Sequence, residues 1–446
     1  MRTRLRLIAM SALAALTLGG AGGATALADD QPTDLGHQLL PANDGWAAFS
    51  TGTTGGSAAD AAHVFTVTNR SELVQALGGD NKKNGANATP KIIQVSGTID
   101  GNVDDANQPL SCAAYADPAF TLQAYLTQFD PATWGKQTVA GPLEDARKRS
   151  ESTQAARVQI RVGPNTTIVG LGSDARMVGV NLLVQNVDNV IVRNIDFENA
   201  FDCFPQWDPN DGATGNWNSA FDDITVKGAT HLWFDHDSFT DGDMPDSAGP
   251  TFFGRPFEQH DGELDITNAS DLVTVSWSAF REHDKTMLIG SSDTTTADTG
   301  KLRVTLHHNL FDNVLERAPR VRFGQVHVFD NLYVIPDGAP YVYSWGVGIQ
   351  SQTFAQNNFF ATAPGVDPAR FITVFKGTAI HAEGTQVNGF SRHDAVDVVA
   401  AYNAANDPDL ATDVGWTPTL FQRIDPTQAV PALVGVFAGA GRLPTA

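Results

Sequence analysis

The sequence predicts an all-β chain wound as a single-stranded, right-handed parallel β-helix, a solenoid with long loops and a packed C-terminal tail. Three observations lead there. First, six short segments share one pattern, with apolar residues at the first and third positions (Thr353 at the first position of the last) and an aromatic seven residues after the first. They end at Phe197, Phe239, Phe280, Phe311, Tyr333 and Phe360, at intervals of 42, 41, 31, 22 and 27 residues. The shorter intervals match one coil of a solenoid, and the longer ones leave room for inserted loops. Second, Asn309, Asn331 and Asn358 each stand two residues before the closing aromatic. Stacked coils would align their amides as a hydrogen-bonded ladder. Read alone they would be ordinary turn residues, but a β-sandwich would give no such vertical register. Third, 41 Gly and 23 Pro in 446 residues supply the many turns such a chain needs.

Taken in chain order, the first element is a leader. Arg2, Arg4 and Arg6 precede an apolar run from Leu7 to Leu18, and Ala26-Leu27-Ala28 has the small-x-small cleavage pattern. The run is too short for a bilayer span, so residues 1–28 read as a signal peptide and the mature chain as secreted and extracellular. Residues 29–446 contain no linker and are expected to form one catalytic domain, despite a length that would suit about three at ~150 residues each. Asp104 to Thr153, rich in Ala, Gln and charges, predicts helix or a long excursion. The repeats follow, with one strand face buried and one wet. From Gly377 onward Ala, Asp and Pro dominate, as in a tail that packs outside the coils or caps them. Cys112 and Cys203, the two cysteines, have no metal or redox spacing; in an oxidising compartment they could pair or remain buried thiols.

Charge narrows the function. The formal net charge is −21, and −24 once the leader's three arginines are removed. Such a chain repels nucleic acid and anionic membrane, so neither is expected as a partner, and a soluble monomer is. No nucleophile elbow, zinc-protease helix or phosphate-cradling loop is present. His307 and His308 would point to opposite faces of a strand, an interior histidine beside an exposed one, and so make a poor metal pair.

Two clusters carry chemistry. In Asp261-Gly262-Glu263-Leu264-Asp265-Ile266, inward Leu264 and Ile266 send Glu263 and Asp265 outward, with Asp261 on about the same side. Carboxylates that close repel unless a cation or strong donors neutralise them, and an oxygen-only set suits Ca²⁺; a solvated acidic face is the alternative. Asp222-Asp223 precedes Ile224-Thr225-Val226, where parity would turn Asp223 outward, while a strand starting at Ile224 leaves the choice open. The second cluster is Arg317-Ala318-Pro319-Arg320-Val321-Arg322-Phe323, with Lys285 in His283-Asp284-Lys285. Guanidiniums grip carboxylates bidentately, so this basic island either binds an acidic ligand or serves surrounding salt bridges.

At these residues the chain resembles the secreted pectate lyases, polysaccharide lyases with a parallel β-helix. The likeness is carried by Trp217-Asn218-Ser219 through Asp223, His231 to His236, Asp261 to Asp265, Val273 to Trp277, His283-Asp284-Lys285, Leu288-Ile289-Gly290 and Arg317 to His327. The resemblance implies that Asp222, Asp261 and Asp265 bind Ca²⁺, selecting Asp222 over Asp223. More weakly, it implies that Asp211 holds additional calcium. Lys285 and Arg322 would grip a substrate carboxylate, Arg317 would be the base, and Arg320 would be structural. Glu263 has no uniform counterpart. The implied reaction is β-elimination in polygalacturonate (pectate), removing the proton at C5 and expelling the oxygen at C4. Burial and neighbouring positive charge from Ca²⁺, Lys285 and Arg322 are expected to lower the pKa of Arg317. The rivals are a calcium-independent pectin lyase, a non-catalytic β-helix binding acidic polysaccharide, and a hydrolase using Asp261 and Asp265.

Overall fold

The computed structural model describes residues 34–443, so the leader expected at residues 1–28 lies outside the described residues. Alternating apolar strands of three to six residues cannot bury both faces alone; stacked in parallel they enclose one shared core. Ten strands, from Val64–Val67 to His381–Glu383, form a first parallel sheet. Eight, from Gln159–Arg161 to Ile372–Phe375, form a second, and nine, from Thr98–Asp100 to Gln386–Val387, a third. One coil shows the winding: Ile224–Lys227 in the second sheet, Thr230–Asp235 in the first, Ser238–Thr240 in the third. The chain then returns to Leu264–Thr267, which pairs in parallel with Ile224–Lys227. This is the parallel β-helix that the spacing predicted.

The repeating aromatics are its spine. Phe197, Phe239, Phe280, Phe311, Tyr333 and Phe360 are register partners on successive coils of the third sheet. Their rings stack at 5.3, 4.8, 5.1, 4.9 and 4.4 Å between centroids. Each such pair adds about 0.5–1.5 kcal/mol beyond burial. The asparagines also form their ladder: Asn309 Nδ2 donates to Asn331 Oδ1 at 3.0 Å, and Asn331 Nδ2 to Asn358 Oδ1 at 3.0 Å. Just before each lies the turn from the first sheet to the third. One residue per coil there, among them His236, Trp277, His308, Asp330 and Asn357, takes a positive φ of 50–56°. These side chains therefore stack outside the turn, one coil above the next.

Asp104 to Thr153 is a helical excursion: Cys112–Tyr115, Leu122–Gln128, Pro131–Trp134 and the start of Pro142–Val158. Tyr125 and Phe129 pack on Trp207 and Trp217 of the antiparallel hairpin Gln206–Asp208/Asn216–Asn218. Cys112 and Cys203 are bonded to each other, tying the excursion to the coils across 91 residues. The tail packs outside, as expected: Val430 and Val434 of the helix Val430–Phe437 cover Ala279, Leu310, Leu332 and Phe359.

Candidate active site

The second sheet carries the two chemical clusters on consecutive coils. Ile224–Lys227, Leu264–Thr267, Leu288–Ile289 and Arg320–Val321 are successive parallel neighbours. The segments leading into them therefore bring Asp222, Asp261, Lys285 and Arg317 to one end of the sheet. Asp222 lies two residues ahead of its strand, free of strand parity. Its Oδ1 accepts from Gly262 N at 3.0 Å and its Oδ2 from Thr225 Oγ1 at 2.5 Å. Asp265, inside the next strand, accepts from Leu288 N at 2.8 Å. Burial, then the charges of Asp265 and Asp261, push the Asp222 carboxyl well above its ordinary pKa. Burial, then Asp261, push Asp265 up to about 7, against the opposing pull of Leu288 N–H, Arg317 and Lys227.

These three acids fit a hard cation. They offer oxygen alone, and their charges cost energy together in a buried place. The gap between them is kept open by Gly262: a Cβ there would fall 2.5 Å from Asp265 Oδ1 and 3.1 Å from Asp222 Oδ1. Asp211 is exposed in the hairpin loop beyond the strand Gln206–Asp208, and its backbone N–H closes a turn onto Asp208.

The cations are held rather than free. Lys285 is buried and pairs with Glu258 Oε2 at 2.5 Å, while Asn216 Nδ2 holds both oxygens of Glu258. Burial works to lower the Lys285 pKa, but Glu258 and Asp261 outweigh it and raise it. Arg322 donates to Asp293 Oδ1 and to Gly290 O, both at 2.8 Å. Arg317, in a left-handed conformation at φ 61°, donates Nε–H to Glu316 Oε1 at 3.1 Å. The lowered pKa expected for Arg317 is not what the chain alone produces. Burial does act downward, but Glu316, Asp261 and Asp265 overcome it and hold the guanidinium protonated. Arg320 lies over the Phe375 ring at 3.7 Å, the structural role expected of it.

Two parity readings are corrected. Asp223 and Glu263 do not face outward: both are buried, and burial, then the charge of Glu263, pushes the Asp223 carboxyl well above its ordinary pKa. Burial pushes Glu263 up to about 8. Both strands begin one residue later, at Ile224 and Leu264, so Asp223 and Glu263 sit in the preceding turns. Beside them His283 donates Nε2–H to Asp261 O and contacts Asp241 Oδ1 with Nδ1, both at 2.7 Å. Burial disfavours its charge, but Asp241, Glu263 and Asp284 raise its pKa well above the ordinary value. The pair His307 and His308 is also corrected: both are buried, because the positive φ of His308 breaks strand alternation. Sequence reasoning missed Glu258, Glu316 and Asp293, the partners of the three cations. They come from loops, where neither period nor spacing marks them; Glu258 and Asp293 stand about one coil before the cation each holds, and Glu316 directly precedes Arg317.

Comparison with known proteins gives this arrangement a context. A family model described as pectate lyase matches residues 138–398. The chain is 48% identical to a pectate lyase of Bacillus subtilis (strain 168) over 414 residues, covering 92% of this chain and 94% of that protein. It is 37% identical to pectate lyase E of Dickeya dadantii (strain 3937) over 360 residues, covering 78% and 76%. A solved thermostable pectate lyase superposes with a TM-score of 0.89 at 51% identity, covering 92% of this chain and all of the other. A pectate lyase bound to a hexasaccharide gives 0.87 at 48% identity, with the same coverage.

Proposed function

The chain belongs to the pectate lyase family and is a polysaccharide lyase, and from that premise we propose that it is a secreted, monomeric, calcium-dependent enzyme with a single catalytic domain. Its substrate in this reading is de-esterified α-1,4-polygalacturonate, cleaved by β-elimination to 4,5-unsaturated oligogalacturonides. The observation that carries the reading is the meeting, on consecutive coils, of three mutually repelling carboxylates with Lys285 and Arg317, and of Arg322 in the same coil as Arg317.

In the mechanism, Lys285 and Arg322 pair with the C6 carboxylate of one galacturonate, which is adjacent to the C5–H that must be broken. Both are already fixed by Glu258 and Asp293, so little side-chain entropy is lost when they bind. Asp222, Asp261 and Asp265 would hold a Ca²⁺, which when bound would supply positive charge near that carboxylate and offset Asp261 and Asp265, two of the three anions that keep Arg317 protonated. Arg317 then takes the C5 proton, and the electron pair forms the C4–C5 double bond as the C4 oxygen leaves. Each electrostatic group of this kind is worth about 3–4 kcal/mol in the transition state. The alkaline side of neutrality favours the deprotonated guanidine, so activity is expected to rise with pH.

Purified protein incubated with polygalacturonate at alkaline pH, with calcium or with a chelator, tests the whole reading through the ultraviolet absorbance of the unsaturated product. The signal should grow only with calcium. Growth unaffected by chelator would replace the reading with a pectin-lyase type, and no signal from folded protein would overturn it.

A further inference from the structure

We infer that His308, Asp330 and Asp425 form a second metal site, distinct from the carboxylates above and suited to a borderline divalent ion such as Zn²⁺. Among the described residues these three are a group of potential ligands, all buried, whose ligand atoms lie within 4.8 Å of one another. The fold explains the convergence. His308 and Asp330 occupy the same left-handed turn position on adjacent coils, where parallel stacking spaces equivalent side chains by roughly 4.8 Å. Asp425 comes from the tail, and its backbone N–H donates to Asp330 Oδ2 at 2.7 Å. His308 Nε2 is 3.2 Å from Asp425 Oδ2 and 3.7 Å from Asp330 Oδ2. Two ligands bound to zinc at about 2.0–2.1 Å in tetrahedral geometry stand roughly 3.3 Å apart, within that bracket.

The hydrogen bonding around the histidines has room for a cation: His308 Nε2 either donates to Asp425 Oδ2 at 3.2 Å or turns a lone pair to it. His307 and His308 meet Nδ1 to Nδ1 at 3.0 Å, so one ring donates and the other accepts. His307 Nε2 is buried without a hydrogen-bond partner, 3.6 Å from Asp44 Oδ1. If His307 keeps its proton there, facing the Asp44 carboxylate, its Nδ1 accepts and His308 Nδ1 donates. The lone pair of His308 Nε2 then faces two carboxylates. In the opposite tautomer the lone pair of His307 Nε2 faces Asp44 instead. One cation between His308, Asp330 and Asp425 removes the conflict in the first arrangement.

Further features agree. Asp330 is fully buried and its Oδ1 has no hydrogen-bond partner. Asp425 gives Oδ1 to Arg423, leaving Oδ2 for the ion. A pocket of about 500 Å³, lined in part by Trp277, His308 and Asp425, opens beside the cluster and leaves space for a water as fourth ligand. Imidazole with two carboxylates selects zinc-like ions over Ca²⁺, which prefers six or more oxygens. Bound there, the ion would fasten the tail segment to two coils.

The test is titration of tag-free, chelator-treated protein with Zn²⁺, by calorimetry and thermal unfolding, with Ca²⁺ held in excess. The parent should bind one Zn²⁺ per chain with a rise in Tm. His308→Gln and Asp425→Asn should each weaken binding by at least about tenfold while leaving lyase turnover intact. Asp265→Asn should still bind zinc. Absence of stoichiometric binding by the parent, or equal binding by both cluster variants, overturns the inference. Asp425 lies in the tail, so its variant decides the matter if His308→Gln fails to fold.

Discussion

Two pairs of acids, one or two residues apart in the chain, end in opposite environments. Asp222 and Asp265 border the gap over Gly262 and feel the charge of Asp261. Asp223 and Glu263 turn the other way, into a buried network with His283 and Asp241. Both sets repel internally, and they differ in the cation that opposes the repulsion. His283, protonated between Asp241 and Glu263, balances the inward set, whereas Arg317 lies beside the outward set but is pulled toward Glu316 as well. The inward set has a cation of its own in His283, whereas the outward set shares Arg317 with Glu316. His283 also links the two, since its Nε2–H supports the Asp261 carbonyl from behind.

The largest expected effect comes from Arg317→Lys. If only proton affinity mattered, lysine, with its lower pKa, would be the better base. The guanidinium, however, is positioned by its Nε–H on Glu316, which an ammonium on a flexible stem does not reproduce. Calcium-dependent turnover should fall about 10²–10⁴-fold, while Tm and calcium binding change little. Near-full turnover in the lysine variant would remove Arg317 as the base and leave the outward set as a binding feature only.

Next in size is Asp265→Asn, which should reverse sign with calcium. In calcium-free protein the folded pKa of Asp265, about 7, lies above its ordinary value of 3.8. Its stabilising protonation is therefore complete below pH 3.8 and lost as pH rises through about 7. At pH 8 in chelator the asparagine variant should be more stable than the parent, on the order of 2 kcal/mol. With calcium the parent should gain stability and the variant should not, and turnover should drop about 10²–10³-fold. A variant that is less stable in both conditions would mean that the outward acids are structural.

Much of this was legible in the chain. The aromatic at a fixed place in each repeat announced the stack from Phe197 to Phe360, because a solenoid turns sequence period directly into vertical contact. The outward acids were legible because Asp265 lies inside a strand, where alternation holds. Alternation failed at Glu263 and Asp223, and again at His308, because each stands in a turn, where φ and ψ rather than period decide direction. Glu258 and Asp293 were illegible for another reason: they belong to loops, whose placement depends on the coils they return to. Asp425 meets Asp330 across 95 residues, a contact that only the packing of the tail creates.

The smallest effect on turnover, and the sharpest contrast, should come from Glu263→Gln. The carboxyl is fully buried, neither oxygen has a hydrogen-bond partner, and burial lifts its pKa to about 8 from an ordinary 4.5. Its protonated form stabilises the fold fully below pH 4.5, and that contribution is lost as pH rises through about 8. The parent's Tm should therefore decline from pH 5 toward pH 9 more steeply than the variant's, with or without calcium, while turnover stays close to the parent's. The amide keeps the size of the neutral acid and cannot ionise, so the difference between the two Tm profiles isolates this one group. Calcium-dependent turnover lost in Glu263→Gln, as in Asp265→Asn, would erase the distinction between inward and outward acids. Glu263 would then support the cation through His283 and Asp261, and the two sets would be one device.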